Sequence, residues 1–120
     1  MEFKLFDSHC HLYMPQFDAD RAEVLARMQE AGMGAVVIGV DYASSQKALE
    51  LARQHDFLWS SVGLHPNDNP AEVFDMEKFE ALTKDPRVVA IGECGLDYYR
   101  QEPSPQEKQR QRERFEAHIA

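Results

Sequence analysis

This sequence of 120 residues has few cysteines and no long apolar run. Its two cysteines, Cys10 and Cys94, lack the paired spacing of a zinc site, and their scarcity favours a reducing compartment. No apolar run approaches the roughly 20 residues that cross a bilayer. The first residues also lack the charged segment and apolar stretch of a signal peptide. We therefore expect a cytoplasmic protein that has no membrane partner.

Positive charge is also scarce. Lys and Arg number 13 against 21 Asp and Glu, which leaves a formal net charge of −8. A domain that binds long duplexes without sequence preference is usually basic, so the composition disfavours that class of function. A phosphate-containing substrate stays compatible with the composition, because bound divalent cations can supply positive charge at a site.

The chain alternates between apolar runs typical of strands and segments that carry helix signals. We predict strands at residues 3–7, 35–40, 58–63 and 88–92, and helices that begin near Asp20, Ser44 or Ser45, Asp75 and Ser104. The second run is apolar throughout, as in strands of a parallel sheet that are covered on both faces. Each strand and helix together take roughly 25–30 residues, the length of one βα unit.

These units predict the fold class. We expect an α/β protein with about four βα units, the N-terminal half of a (β/α)8 barrel, which in full takes about 250 residues. The last helix still shows apolar spacing at Phe115 and Ile119 where the sequence stops. We therefore expect residues 1–120 to form a single partial barrel domain, truncated within its fourth helix.

The segment Asp7-Ser8-His9-Cys10-His11 closes the first apolar run. Side chains of a strand alternate between its faces, so His9 and His11 should emerge on the same side, and two such imidazoles can form half of a metal site. Asp7 shares their parity and could add a ligand or hold the second nitrogen of one imidazole. Cys10 should face away as a small buried residue.

Two further strand ends carry polar groups. Glu93 follows the fourth strand in a glycine-flanked turn, and His65 follows the third strand. Parallel folds place their chemistry at this edge, so Glu93 could act as a metal ligand or general base and His65 could contact a phosphate. The ordinary alternatives are a helix-capping or solvated glutamate and a histidine in a surface turn.

Other polar or aromatic residues have simpler interpretations. Tyr98 and Tyr99 could stack on a base or pack at the barrel rim, and Arg100 could contact a phosphate. We expect the charged run at residues 102–116 to be a solvated helix face, and His118 to be a solvated surface residue.

Taken together, these residues resemble the TatD-type deoxyribonuclease family of metal-dependent hydrolases. The matching stretches are residues 6–12 (FDSHCHL), 62–66 (VGLHP) and 90–99 (AIGECGLDYY), and residues 111–115 (QRERF) fit the fourth helix of the family. The resemblance implies a (β/α)8 barrel with one or two divalent ions, Mg²⁺, Mn²⁺ or Zn²⁺, at its C-terminal mouth.

The resemblance also implies roles for individual residues. His9 and His11 would bind one ion, Glu93 would bind or bridge ions and take part in catalysis, and His65 would act beside the scissile phosphate. The implied reaction is hydrolysis of phosphodiester bonds, most simply in DNA, by a 3'-5' exonuclease-like mechanism with a metal-activated water.

The family takes two further histidines and an aspartate from its fifth, sixth and last strands, which this sequence does not reach. We therefore expect the chain alone to be weakly active or inactive, and to self-associate through unpaired sheet edges. Two alternatives stay open. One is a metal-dependent amidohydrolase or a polymerase-and-histidinol-phosphatase-like phosphoesterase, both of which also open with His-x-His. The other is a non-catalytic metal-binding remnant.

Overall fold

The computed structural model of the protein describes residues 2–99 and 101–120, so Arg100 lies outside the described residues. Within them, four strands alternate with four helices: β1 Leu5–Cys10, α1 Arg21–Glu30, β2 Met33–Ile38, α2 Tyr42–Gln54, β3 Leu58–Val62, α3 Met76–Thr83, β4 Val88–Ile91 and α4 Pro105–Ile119. A 3₁₀ turn, Pro15–Phe17, precedes α1. No helix of the described residues is long and apolar enough to cross a membrane.

The four strands form one parallel sheet in the order β1-β2-β3-β4. A doubly wound sheet reverses its strand order partway, whereas this sheet adds each new strand to the same side, as a (β/α)8 barrel does. The predicted fold class, an α/β protein of four barrel-type βα units, is confirmed. The carboxyl ends of all four strands therefore lie at one edge of the sheet.

The helices pack on one face of the sheet. The larger core cluster joins α1 and α2 to β2 and β3 through residues that are almost fully buried: Leu25, Ala35, Val37, Ala48, Leu51, Ala52, Phe57 and Leu58. A smaller cluster joins Val62 and Leu64 to Phe79 of α3. Burial of each large apolar side chain stabilises the fold by about 1.5–3 kcal/mol. This layer holds the strand ends in place.

The opposite face of the sheet corresponds to the inside of a barrel. There the ring of Phe6 on β1 lies against Trp59 of β3, with ring centroids 5.8 Å apart, and Phe3 contacts both rings. Gly34 lies beneath them, since a Cβ atom there would come within 2.9 Å of the Phe6 ring. The ring of Phe6 is half exposed, because no second layer covers this face in the described residues.

Local signals explain most helix boundaries. Asp41 and Ser44 form a reciprocal capping box at the start of α2, and Ser104 accepts a hydrogen bond from the backbone N–H of Glu107 at the start of α4. Gly32, at φ +68°, ends α1 as predicted. α1 begins directly after Asp20, as predicted, although the Asp20 side chain makes no capping hydrogen bond.

Candidate metal centre

The carboxyl end of β1 brings two imidazoles together. β1 extends to Cys10, further than the sequence predicted, so His9 lies in the strand and His11 directly after it. The Nε2 atoms of His9 and His11 are 3.2 Å apart. Two nitrogen lone pairs at this distance repel each other unless a proton or a cation lies between them.

The other ring nitrogen of His11 is fixed by the end of β2. Nδ1 lies 2.9 Å from the carbonyl oxygen of Ile38 and 3.2 Å from the hydroxyl of Tyr13, which donates to the same carbonyl. A carbonyl oxygen only accepts, so His11 Nδ1 carries the hydrogen and Nε2 presents its lone pair to the site. Burial raises the pKa of Tyr13, so its hydroxyl stays protonated as a donor.

The end of β4 contributes the third group. The backbone N–H of Glu93 donates to the carbonyl of Gly39, and Ser61 Oγ donates to the carbonyl of Gly92. These bonds hold the turn over the ends of β2 and β3. Glu93 Oε2 then lies 3.4 Å from His9 Nε2 and 4.0 Å from His11 Nε2.

A glycine pair permits this placement. A Cβ atom on Gly63, at the end of β3, would lie 2.7 Å from the carbonyl carbon of Gly92. Only a residue without a side chain allows the two strand ends to approach this closely. The close contact brings the turn that carries Glu93 over β3.

The three side chains fit a divalent cation. One ligand atom from each of His9, His11 and Glu93 lies within 4.8 Å of the other two. Metal–nitrogen and metal–oxygen bonds of about 2.0–2.2 Å place neighbouring ligand atoms about 3–3.5 Å apart, close to the distances found here. Imidazole nitrogen and carboxylate oxygen suit Zn²⁺ and Mn²⁺, and the carboxylate also suits Mg²⁺. The donor set therefore supports a metal centre without selecting one metal.

His65 lies on the opposite side of Glu93 from the two histidines. Its Nε2 is 3.6 Å from Glu93 Oε1 and 4.0 Å from Asp97 Oδ2. Its Nδ1 is 2.8 Å from Asp68 Oδ2, and the backbone N–H of Asn67 also points to it at 3.1 Å. The structure thus brings together all four residues that the sequence predicted for the site.

Three of these residues, His11, His65 and Glu93, line a polar cavity of about 950 Å³. Five carboxylate residues line it: Asp68, Glu93, Asp97, Glu102 and Glu107. An acidic cavity attracts cations and repels a polyanion, so a phosphate group would need bound cations beside it. The volume is sufficient for a nucleotide-sized ligand.

Three predictions from the sequence are wrong in this region. Asp7 does not hold an imidazole nitrogen, because its Oδ1 accepts the backbone N–H of His9 at 2.9 Å. His118 is half-buried: its Nε2 accepts the N–H of Leu64 and its ring lies against Phe74. The fourth helix is not solvated throughout, since Gln111 and Arg114 are buried.

The two cysteines take no part in the site. Cys10 donates from Sγ to the carbonyl of Val36, and burial, with the nearby charge of Asp7, raises its pKa to about 11. Burial also raises the pKa of Cys94. The ligand atoms that converge at the site come from His9, His11 and Glu93, not from either thiol.

The sequence interpretation missed several supporting residues. Tyr13, Asn67, Asp68 and Gln111 touch site residues or the loops that carry them. Asp68 follows His65 by three residues, and this spacing is a usable signal for a loop contact. Gln111 lies four residues before Phe115, on the helix face that the apolar spacing marks as buried. Tyr13 and Asn67 give no comparable signal.

The fold and the candidate centre define a class: a parallel barrel-type α/β protein with histidine and carboxylate groups at its strand ends. Comparison with known proteins identifies the family. The family model described as TatD related DNase matches residues 6–120. The chain belongs to the TatD related DNase family.

Individual relatives agree with this assignment. The chain is 41% identical over 108 residues to the 3'-5' ssDNA/RNA exonuclease TatD of Shigella flexneri and 40% identical over 108 residues to that of Escherichia coli K12. Each match covers 88% of this chain and 42% of the relative, so the chain spans less than half the length of these relatives.

A solved structure matches the fold. It is the crystal structure of YjjV, a TatD homologue from Escherichia coli K12, with a TM-score of 0.81 and 28% identity. The match covers 96% of this chain and 45% of that one. The four βα units therefore correspond to less than half of a known member of the family.

Proposed function

We propose that this chain is part of a metal-dependent nuclease that hydrolyses phosphodiester bonds, with 3'-5' exonuclease action on single-stranded DNA or RNA. The observation that carries the proposal is the convergence of His9, His11 and Glu93 at one edge of the sheet. The names of the curated relatives support the substrate class, since they are 3'-5' ssDNA/RNA exonucleases.

We assign His9, His11 and Glu93 as ligands of one or two divalent ions, drawn from Mg²⁺, Mn²⁺ and Zn²⁺. A bound divalent ion lowers the pKa of water and polarises a phosphoryl oxygen. Ile38 and Tyr13 orient the imidazole of His11 so that its lone pair faces the site. Glu93 has one oxygen toward the histidine pair and the other toward His65, so it can bind an ion while it orders groups on both sides.

We assign His65 to the phosphate. Its Nε2 faces the same space as Glu93 Oε1 and Asp97 Oδ2. A hydrogen on this atom can be donated to a non-bridging phosphate oxygen, while Asp68 and Asn67 contact the ring at Nδ1 on its other side. Glu93 and His65 are thus the proposed catalytic pair of this chain.

The proposed partners follow from the charge. A net charge of −8 and an acidic cavity make long-range attraction of nucleic acid weak, so we propose that bound cations and local contacts position a single strand. We also propose that the chain alone has little or no activity. The resemblance to the family implies that a complete site takes further ligands from strands beyond the four of this sequence.

Calorimetry with MnCl₂ tests the metal assignment on the chain itself. Wild type should bind Mn²⁺, and His9→Ala, His11→Ala and Glu93→Gln should each weaken binding at least tenfold, because each removes one of three ligands. His55→Ala, at the end of α2 and outside the site, is the matched control. Equal affinity in His11→Ala and His55→Ala would refute the metal centre.

An exonuclease assay tests the reaction. A protein that carries this sequence within a complete barrel should release nucleotides from the 3' end of a single-stranded oligonucleotide only when divalent ions are present. His65→Ala should lower kcat by about 100-fold. Parallel assays on phosphomonoesters and amides address the amidohydrolase and phosphoesterase alternatives. Mn²⁺ binding without turnover on any of these substrates would favour the metal-binding remnant.

A further inference from the structure

Two buried polar side chains on α4 are not ligands of the proposed metal centre, yet both contact the loop that carries His65. They are Gln111, which is 1% exposed, and Arg114, which is 7% exposed. A buried amide or guanidinium loses its hydration and must recover that free energy through hydrogen bonds. Their partners therefore show what the helix holds in place.

Gln111 binds two loops at once. Its Oε1 accepts the backbone N–H of Asp97 at 2.8 Å, and its Nε2 donates to the Asp97 carbonyl at 3.0 Å and to Asn67 Oδ1 at 2.9 Å. Asn67 also donates from its own amide to the Asp97 carbonyl. The loop after β3 is thereby tied to the loop after β4.

Arg114 secures the same β3 loop from its other side. The guanidinium donates to the carbonyl oxygens of five residues: His65, Asp68, Asn69, Pro70 and Glu72. Burial lowers the pKa of Arg114, and the nearby charge of Arg110 acts in the same direction. Only the planar five-donor guanidinium can satisfy so many acceptors in fixed directions.

Most of these bonds act on the loop that carries His65, and the remaining bonds join Gln111 to Asp97, four residues after Glu93. Nδ1 of the His65 ring lies 3.1 Å from the backbone nitrogen of Asn67 and 2.8 Å from Asp68 Oδ2, and these two residues are the ones that Gln111 and Arg114 bind. Glu93 is instead fixed through its N–H to Gly39. The α4 contacts therefore determine where the His65 ring lies relative to Glu93.

We propose that Gln111 and Arg114 are positioning residues, which hold the loop of His65 so that its ring faces Glu93 across the phosphate site. This proposal rests on the proposed function, because only that function assigns the His65 ring a role in binding the phosphate. A displacement of about 1 Å in a reacting group can cost about 100-fold in rate, so a catalytic imidazole needs such support.

The test reads the ring directly by NMR on the 120-residue chain. Gln111→Met keeps the length and packing of the side chain but removes its three hydrogen bonds. We expect the His65 ring proton and nitrogen shifts to move at least halfway toward random-coil values, while Mn²⁺ affinity by calorimetry changes less than twofold. Arg114→Lys, which keeps the charge but not the planar fork, should act in the same direction.

Matched controls lie on the exposed face of the same helix. Gln109→Met and Arg112→Lys make the same chemical changes at exposed positions and should leave the His65 shifts unchanged. If Gln111→Met fails to fold, Asn67→Ala removes the same link from an exposed loop residue and should produce the same shift. His65 shifts in Gln111→Met or Asn67→Ala equal to those in Gln109→Met would overturn the proposal.

The readout separates this proposal from the proposed function. The ring shifts require neither metal nor turnover. A chain that binds no Mn²⁺ but shows the Gln111-dependent shift would refute the metal centre and leave the positioning contacts in place. A chain that binds Mn²⁺ but shows no shift would refute only the positioning role.

Discussion

At the scale of single residues, His118 shows how tertiary contacts set the behaviour of an imidazole. Its Nδ1 lies 2.7 Å from the carbonyl of Arg114, and its Nε2 accepts the N–H of Leu64 at 2.9 Å. The ring is therefore neutral, with hydrogen on Nδ1 alone. Burial lowers the pKa of His118, and the adjacent Arg114 charge acts in the same direction.

This pKa shift predicts a pH-dependent stability. Because the folded-state pKa is below the unfolded value of about 6.5, the contribution of His118 is complete above that pH and is lost as the pH falls below it. We expect His118→Gln, which cannot titrate but keeps an acceptor and a donor, to match wild type within about 1 kcal/mol at pH 7.5. Between pH 7.5 and 5.5, wild type should lose more unfolding free energy than the variant in urea titrations. Parallel pH profiles would contradict this.

The residue scale also shows what the sequence could predict. His9, His11, Glu93 and His65 could be predicted as neighbours because strand parity and strand ends are local properties of a chain. The role predicted for Asp7 failed because the β1–β2 register shifts between Asp7 and Cys10. Side chains on the two sides of such an irregularity need not alternate regularly between the faces of the strand. The Asp7 carboxylate instead accepts the backbone N–H of His9 in its own strand.

At the scale of elements, two helices that both begin after an aspartate differ in whether that aspartate makes a capping hydrogen bond. Asp41 accepts the N–H of Ser44 at 2.7 Å at the start of α2, whereas Asp20 makes no such bond at the start of α1. We expect Asp41→Ala to lower the unfolding free energy by about 1 kcal/mol and Asp20→Ala to change it by less than about 0.5 kcal/mol. Urea unfolding of both variants is the measurement. Equal losses of unfolding free energy in Asp41→Ala and Asp20→Ala would contradict the stabilising role assigned to the Asp41 capping bond.

A second prediction at this scale follows from the close contact between the ends of β3 and β4. A methyl group on Gly63 would meet backbone atoms of Gly92, which cannot rotate away. We expect Gly63→Ala to cost about 1–3 kcal/mol in unfolding free energy, as overpacking does. Gly34→Ala is the matched control, since its methyl group would meet the half-exposed ring of Phe6, which can turn aside. A larger loss in Gly34→Ala would contradict the assigned contact.

Element order was predictable, but exact strand ends were not. The capping residues Asp75 and Ser104 fixed the starts of α3 and α4, and Gly32 fixed the end of α1. β2 begins at Met33 and ends at Ile38, two residues earlier at each end than the apolar run indicated. Strand bounds depend on hydrogen bonds to neighbouring strands, which hydrophobicity along one segment does not determine.

At the scale of the whole molecule, the sheet is open. β1 and β4 each have one neighbouring strand in the described residues, so each leaves one edge without a strand partner. The sequence predicted this from the count of βα units. It could not predict the contacts of α4 with the loop after β3, because those join residues more than 40 positions apart.

Open edges and an uncovered apolar face favour association. Val89 on the edge strand β4 is 53% exposed, and Phe6 is half exposed on the inner face. We expect the sedimentation coefficient of the 120-residue chain to rise with concentration, and Val89→Lys to reduce that rise because a charge at the edge disfavours strand pairing. Val73→Lys is the matched control, since Val73 is 83% exposed in a loop away from the strands. A folded monomer at all concentrations would refute self-association, and equal effects of both substitutions would exclude the β4 edge as its site.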